Sequence, residues 1–391
     1  MTAPLVGTVA GVVLGPEVLQ VIEPGRLGDE RAILEQLARV TLAVSLVAAA
    51  LQIRSHDLRA NGLRATVLLT VVMVAMWAVS TLGAWLLLGL PFWVAALIGA
   101  IVTPTDPVVA STLVTGRLAE GNLPRWVRRT LQLESGANDG LALAFVLLPA
   151  IVLTSPSGGA GAFPAEAAKQ IGLGVGVGIG LGAAVAAAVN RLGDDEELER
   201  SSFLAMAVAL GLLALGSASF LGGTGVLAAF VAGVTASVRL EKRFSDELEA
   251  VQAGAERLII VPVFVLFGAM IPWAQWEALG AGGLAFAAWS VLLRRPPAAT
   301  LALGLIGTRR RPAAFLAWFG PIGVAAIYYS LFVERYSPPS YEAVFGACTL
   351  AIAASVVVHS LTATPGVRAF AGHSSLTTLL HPLRKDVDAA P

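Results

Sequence analysis

The chain is long, apolar and electrically balanced. It has 391 residues, of which 56% are hydrophobic and 13% are charged, and its formal net charge is zero. Soluble domains carry about 25% charged residues, so the composition excludes an ordinary soluble protein, and the zero net charge argues against a nucleic-acid partner. The single Cys348 excludes an intramolecular disulfide, and no Cys/His spacing indicates a metal site or other cofactor. The sequence predicts an all-α polytopic membrane protein.

About twelve transmembrane helices are predicted, taking about 20 residues as the length that crosses a bilayer. The division between the seventh and eighth segments rests on the turn at Gly222-Gly223. The predicted segments are residues 1–22, 36–53, 64–88, 92–115, 130–153, 168–190, 202–220, 222–238, 255–272, 280–306, 312–332 and 341–363.

Lysine and arginine are distributed unevenly among the predicted loops. The loops that follow even-numbered segments hold 18 of these residues, whereas the loops that follow odd-numbered segments hold four, namely Arg26, Arg31, Lys169 and Arg335. Basic residues are retained on the cytoplasmic side of a membrane. Both termini are therefore predicted to be cytoplasmic.

Two of the predicted segments are interrupted by proline and glycine. Segment 4 is broken at Thr103–Pro107 and segment 11 at Gly320–Gly323. Interrupted helices at corresponding positions of two halves indicate a transporter site. We therefore predict inverted repeats, segments 3–5 and 10–12, whose discontinuous helices cross. The alternative is that two kinks coincide by chance, because glycine and proline are common in membrane helices.

This pattern also predicts a division of labour along the chain. Scaffold or dimer-side helices are expected at residues 1–63 and 201–278, and the two core triplets at 64–153 and 279–363. A linker helix over 154–200 joins the halves, and residues 364–391 form a cytoplasmic tail. In the linker helix, alternate glycines from Gly172 to Gly182 form two stripes of small residues, which predicts close helix packing.

Segment 5 carries two acids that point in different directions. On a helix, Ser135 and Asp139 share one face, Glu134 and Asn138 share another, and the two acids lie about 140° apart. Asp139 with Ser135 offers hard oxygen ligands to a small cation. Burial disfavours a permanently charged carboxylate, which lets a proton compete with that cation.

Glu134 needs a different partner, because an unpaired buried charge is costly. Arg295 in segment 10 is the predicted partner, and the pair would link the two triplets. Two alternatives remain open: Arg294 is the partner instead, or both arginines extend toward an interface.

The break in segment 4 supplies further polar groups. Asp106 before Pro107 is typical of a helix N-cap, so we interpret Asp106 as the group that neutralises the half-helix dipoles where segments 4 and 11 cross. Thr103 and Asp106 each precede a proline and are pushed out of helical geometry. The hydroxyls of Thr103 and Thr105 are therefore candidate cation ligands.

At these residues the chain resembles the monovalent cation:proton antiporter family. The matching motifs are Thr105-Asp106-Pro107, Glu134-Ser135-x-x-Asn138-Asp139, Arg295-Pro296 and Gly320-Pro321-x-Gly323. In motif detail the chain is similar to fungal plasma-membrane sodium/proton antiporters and their bacterial relatives. The resemblance puts the cation-binding aspartate and its asparagine at Asp139 and Asn138, the unwound-helix threonine and aspartate at Thr105 and Asp106, and the buried ion pair at Glu134 and Arg295.

The resemblance implies a secondary antiporter, not an enzyme, that exchanges Na⁺, Li⁺ or K⁺ for H⁺ across the plasma or inner membrane. The family fold usually has thirteen helices, and this chain begins where the second would. We therefore expect an antiporter fold lacking the family's first helix. That helix takes part in the family's dimer contact, so a homodimer is possible but expected to be weaker.

Other classes of function remain to be weighed. A cation channel or leak pathway, or a regulatory membrane protein without transport, would use the same fold. Channels usually present rings of charges from several subunits, whereas this chain has single acids within an internal repeat. An intramembrane hydrolase is disfavoured, because no histidine accompanies a plausible serine nucleophile at depth. His359, near the end of segment 12, is expected at the membrane interface.

Overall fold

A computed structural model describes residues 2–106, 117–154, 159–191, 196–240 and 259–372. Within these ranges the regular secondary structure is helical and there is no strand, which confirms the all-α prediction. In chain order the helices are α1 (Ala3–Leu14), α2 (Glu30–Leu51), α3 (Ser55–Leu88), α4 (Phe92–Ile101), α5 (Arg117–Asn122), α6 (Arg125–Thr154), α7 (Gly159–Arg191), α8 (Glu196–Phe220), α9 (Gly225–Arg239), α10 (Ile259–Ala269), α11 (Trp273–Leu292), α12 (Pro296–Leu305), α13 (Arg310–Trp318), α14 (Val324–Phe332) and α15 (Tyr341–Gly372).

Several helices are long and apolar enough to cross a bilayer. Six such spans occur in the described part of the chain: Glu30–Leu51, Ser55–Leu88, Arg125–Thr154, Pro164–Arg191, Trp273–Leu305 and Tyr341–Ala371. Large apolar side chains cover the outside of the molecule, among them Val71, Leu86, Phe220 and Leu305, which are at least 60% exposed. A soluble protein would place polar groups at so many exposed positions. The pattern is that of a multi-pass membrane protein.

Three predicted boundaries are wrong. Segment 1, predicted over residues 1–22, is helical only to Leu14, because the chain leaves the helix at Gly15-Pro16. The loop expected after segment 2 is largely helical, because α3 already begins at Ser55, where Asp57 accepts a hydrogen bond from the Arg54 main-chain nitrogen at 3.3 Å. The predicted segment 10 is not one continuous helix, because α11 ends at Leu292 and α12 begins at Pro296. Prolines favour the first turn of a new helix, where a missing N–H costs nothing.

Parts of other predictions lie outside the described residues. These parts are residues 107–115 of segment 4, the start of segment 9, the basic residues Lys242 and Arg243, and the end of the tail from residue 373. The division into scaffold, core, linker and tail therefore stays a prediction, as do the helix count and the inverted repeat.

The turn at Gly222 separates α8 from α9, as the sequence predicts. Gly222 has a φ of +81°, a conformation that glycine adopts without steric cost. The reversed chain then packs α9 against α2, α7 and α8. On the other side of the molecule α4 packs against α3 and α6, and α15 packs against α11 and α14.

Only one of the two glycine stripes on α7 is used for packing among the described residues. A Cβ atom added at Gly174 would lie 2.8 Å from Thr224 O, and one added at Gly178 would lie 2.7 Å from Ala228 O, both at the start of α9. Added at Gly172, Gly176 or Gly180, it would meet nothing within 4 Å. The prediction of two packing stripes is therefore wrong for the second stripe.

Candidate cation-binding site

The non-helical chain after α4 meets the non-helical chain between α13 and α14 at Asp106. Its main-chain nitrogen donates to Pro321 O at 2.8 Å, and its carboxylate oxygen Oδ2 accepts from the Val324 nitrogen at 2.5 Å. Val324 is the first residue of α14, so the carboxylate lies at the positive end of that helix dipole. Gly323 leaves room for this contact, because a Cβ there would collide with the Asp106 carboxylate.

Arg294 binds the carbonyl groups that both breaks leave free. Its Nη1 donates to Val102 O, to Thr103 O at 3.1 Å and to Pro104 O at 3.3 Å, while its Nη2 donates to Gly320 O. The last carbonyls of a helix carry partial negative charge. A buried guanidinium with several donors in one plane satisfies the carbonyl ends of two half-helices at once.

Glu134 pairs with Arg295. Arg295 Nη1 lies 2.6 Å from Glu134 Oε1 and Nη2 lies 3.2 Å from Oε2, and both residues are about 1% exposed. Arg295 also donates to Leu316 O from Nε at 3.2 Å and from Nη2 at 3.0 Å. The pair links α6 to the start of α12, and its remaining donors reach α13 near the second break.

Asn138 and Thr105 form a reciprocal pair between α6 and the first break. The Thr105 nitrogen donates to Asn138 Oδ1, and Asn138 Nδ2 donates to Thr105 Oγ1, both at 2.9 Å. Asn138 Nδ2 and Thr105 Oγ1 also donate to Glu134 Oε1, at 3.0 and 3.1 Å. Ser135 Oγ lies 3.3 Å from Thr105 Oγ1. Thr105 therefore contacts both polar faces of the helix.

Thr103 is placed differently from Thr105. Its hydroxyl donates to Gly99 O at 2.7 Å, within its own half-helix, and its carbonyl accepts from Arg294. The hydroxyl hydrogen is therefore used, and the hydroxyl oxygen keeps its lone pairs for a ligand.

Asp139 is the acid without a partner for its carboxylate. It is fully buried, and neither carboxylate oxygen has a hydrogen-bond partner among the described residues. Its main-chain oxygen accepts from the Tyr329 hydroxyl at 2.6 Å, which ties α6 to α14. A buried charge of this kind is unfavourable unless a cation or a proton neutralises it.

The charges around the crossing do not balance. Among the residues that the structure describes, three buried carboxylates, Asp106, Glu134 and Asp139, face two buried guanidiniums, Arg294 and Arg295. Residues 107–116, which follow Asp106 along the chain, contain no charged side chain. The cluster therefore carries one excess negative charge when every group is ionised. One monovalent cation or one proton makes it neutral.

Sequence reasoning missed three residues here. From the sequence, Arg294 is only an alternative partner for Glu134, although a basic residue far from both ends of a membrane segment already indicates a buried contact. Tyr329 had no signal, because tyrosines in apolar helices are common. The interfacial placement of His359 is wrong: it is 4% exposed, and its Nε2 lies 3.1 Å from the main-chain oxygen of Trp318.

Non-helical chain that packs around buried charges, after α4 and again between α13 and α14, is typical of the core of a secondary transporter. A family model described as sodium/hydrogen exchanger, transmembrane, matches residues 1–369. The chain belongs to this family.

Individual relatives agree with this assignment. A Na⁺/H⁺ antiporter of Saccharomyces cerevisiae is 32% identical over 344 residues, which cover 83% of this chain and 34% of that protein. Na⁺/H⁺ antiporter 2 of Zygosaccharomyces rouxii is 29% identical over 349 residues, covering 84% of this chain and 42% of that protein. The chain thus spans well under half the length of these curated relatives.

The fold is shared with a solved structure. The sodium proton antiporter MjNhaP1 from Methanocaldococcus jannaschii superimposes with a TM-score of 0.77 over 94% of this chain and 91% of that chain, at 22% sequence identity. The prediction of an antiporter fold is therefore confirmed.

Proposed function

We propose that the protein is a secondary antiporter that exchanges Na⁺, or Li⁺ or K⁺, for H⁺, with cation and proton competing for Asp139. The observation that carries the proposal is the buried Asp139 carboxylate, which lacks a hydrogen-bond partner among the described residues. Family membership and the names of the fungal relatives support cation/proton exchange as the activity.

We assign roles to the surrounding residues as part of this proposal. Asn138 and Ser135, on the same helix as Asp139, and Thr105 and Thr103, at the first break, supply neutral oxygens to a small monovalent cation. Glu134 and Arg295 satisfy each other and serve as a structural bridge. Asp106 caps α14 rather than binding the transported ion.

Competition follows from the charge count. With Asp139 ionised and unoccupied, the site has one uncompensated buried negative charge, which disfavours movement of the empty site through an apolar surrounding. Binding of either H⁺ or one monovalent cation removes the charge. Only an occupied site then passes between the two sides of the membrane, and this restriction couples the two ions. We place the transporter in the plasma or inner membrane with both termini in the cytoplasm.

A proteoliposome assay with an imposed pH difference tests the proposal. Addition of Na⁺, Li⁺ or K⁺ to the wild type should dissipate the pH difference, and the three rates give the cation preference. Asp139→Asn keeps the shape but removes the exchangeable charge, so dissipation should be lost while the protein stays folded in detergent. Dissipation of the pH difference at the wild-type rate in this variant would contradict the role of Asp139.

Asp29→Asn is the control, because asparagine caps a helix as well as aspartate does and Asp29 only caps α2. It should retain full exchange. Cation movement without any change of the pH difference would indicate a channel or leak instead. Absence of transport with all three cations would indicate a regulatory protein.

A further inference from the structure

The second break is held from two directions. On one side Arg294 and Asp106 bind Gly320 O and the Val324 nitrogen. On the other side α15 binds two further main-chain groups, the nitrogen of Ile322 and the oxygen of Trp318. The Ile322 nitrogen donates to Ser355 Oγ at 2.7 Å, and Trp318 O lies 3.1 Å from His359 Nε2. Neither contact follows from the function proposed above.

Ser355 and His359 are themselves joined. They lie four residues apart on one face of α15, and Ser355 Oγ is 3.1 Å from His359 Nδ1. Ser355 is fully buried and His359 is 4% exposed. The result is one chain of hydrogen bonds that runs from Ile322 through both side chains to Trp318.

For a neutral imidazole, the partners determine which ring nitrogen carries the hydrogen. Trp318 O can only accept, so Nε2 must donate to it. Ser355 Oγ already accepts from Ile322, and its own hydrogen is free to donate to Nδ1. The Ser355 main-chain oxygen also lies 2.9 Å from Nδ1, but it cannot serve a nitrogen that has no hydrogen. The neutral tautomer with hydrogen on Nε2 satisfies the whole chain.

We propose that Ser355 and His359 are positioning residues for the cation site. They hold the two ends of the second break at a fixed separation. They thereby fix the Gly320 carbonyl that binds Arg294 and the Val324 nitrogen that binds Asp106. The inference rests on the proposed exchange function for its effect on transport, whereas its effect on the break is independent of that function.

Four variants separate this role from general packing. Ser355→Ala removes the acceptor for Ile322, and His359→Leu removes the donor to Trp318. His359→Gln keeps an N–H donor at the position of Nε2. Thr362→Val is the control: it lies on the same helix and loses the bond from the Trp318 indole nitrogen, at 3.1 Å, and its own bond to Val358 O, at 2.8 Å, but no bond to the main chain of the break.

Two measurements are made on each full-length variant. The first is hydrogen–deuterium exchange of the amides of residues 319–324, which does not depend on transport. Ser355→Ala and His359→Leu should raise exchange at Ile322 about tenfold, as expected for the loss of a hydrogen bond, whereas His359→Gln and Thr362→Val should stay within about twofold of the wild type. The second is the KM for the cation in proteoliposomes, which should rise about tenfold in the first two variants with kcat nearly unchanged.

Three results would overturn the proposal. One is unchanged exchange at Ile322 in Ser355→Ala. Another is an equal rise of amide exchange at Ile322 in Thr362→Val and His359→Leu, or an exchange rate in His359→Gln as high as in His359→Leu. The third is a normal KM in variants whose break has loosened, which would make the pair structural only. If the wild type does not exchange ions at all, the proposed function fails, and the deuterium pattern alone decides whether the pair holds the break.

Discussion

The three buried acids at the crossing differ in their partners rather than in their burial. Asp106, Glu134 and Asp139 are each at most 1% exposed. Glu134 has an arginine and Asp106 has a helix N-terminus, whereas the Asp139 carboxylate has no hydrogen-bond partner among the described residues. This contrast is the basis of the proposal that Asp139 exchanges ions while the other two acids are structural.

The Glu134–Arg295 pair should behave as a unit. Removing one partner leaves an uncompensated buried charge, which costs about 3–5 kcal/mol. Glu134→Gln and Arg295→Met should therefore each lower the free energy of unfolding strongly, and the double variant should lose less than the sum. Arg295→Met should be the worse single change, because it also frees Leu316 O. Denaturant unfolding in detergent measures all four proteins.

Comparison of the double variant with the two single variants contains its own control. Strictly additive losses would show that the two side chains do not interact in the protein. Glu134→Gln paired with a change at Arg294 then becomes the next cycle to measure.

Arg294 should not tolerate lysine. Its two terminal nitrogens reach carbonyls on both breaks, and a single ammonium group cannot span them. Arg294→Lys should lower the unfolding free energy by about 1–3 kcal/mol, the cost of buried carbonyls left without a donor. Arg335→Lys is the matched control at an exposed ion pair with Glu35, where the loss should stay below about 1 kcal/mol. Equal losses in the two variants would contradict the bridging role of Arg294.

At the scale of the helix, α7 offers a matched pair of glycines. A Cβ at Gly178 would lie 2.7 Å from Ala228 O and from Val231 Cβ, whereas one at Gly176 meets nothing within 4 Å. Gly178→Ala should destabilise by about 1–3 kcal/mol through overpacking. Gly176→Ala should be neutral or stabilise by up to about 1 kcal/mol, because alanine favours the helix. Thermal unfolding of both variants checks the difference, and a reversed order would mean that α7 packs on its other face.

The α7 glycines also show what the sequence leaves open. Alternating glycines predict close packing, but they do not say which of two equivalent stripes meets a neighbour. That choice depends on where α9 lies, and α9 is placed by the turn at Gly222 and by its packing on α2. The prediction of a loop at residues 54–63 is wrong because a basic, polar stretch can also be helical, as a continuation of a membrane helix.

For the whole molecule, the loop charges predict orientation. Cys348 is fully buried, so single cysteines added on the surface can be labelled selectively. Arg309→Cys should react only from the cytoplasmic side and Pro339→Cys only from the outside. Both positions are exposed and follow predicted segments 10 and 11. Labelling of intact right-side-out vesicles with an impermeant reagent measures this.

Vesicles that are permeabilised before labelling are the control, and in them both cysteines should react equally. If Arg309→Cys reacts from the outside and Pro339→Cys from the cytoplasmic side, the positive-inside assignment and the cytoplasmic termini are wrong. If both react from one side, the predicted number of crossings between them is wrong.

The sequence by itself determined the membrane class, the helical fold, the ends of α4 and α13 near the two breaks, and which residue types make up the candidate site. Each of these follows from local composition: apolar length, proline and glycine positions, and acids at membrane depth. Tertiary structure decided the pairing. Arg294 and Arg295 are adjacent in sequence, and only the crossing of the two breaks sends one to the free carbonyls and the other to Glu134. The interior position of His359 likewise depends on how α15 lies against α13, because burial is set by neighbouring helices and not by position along one helix.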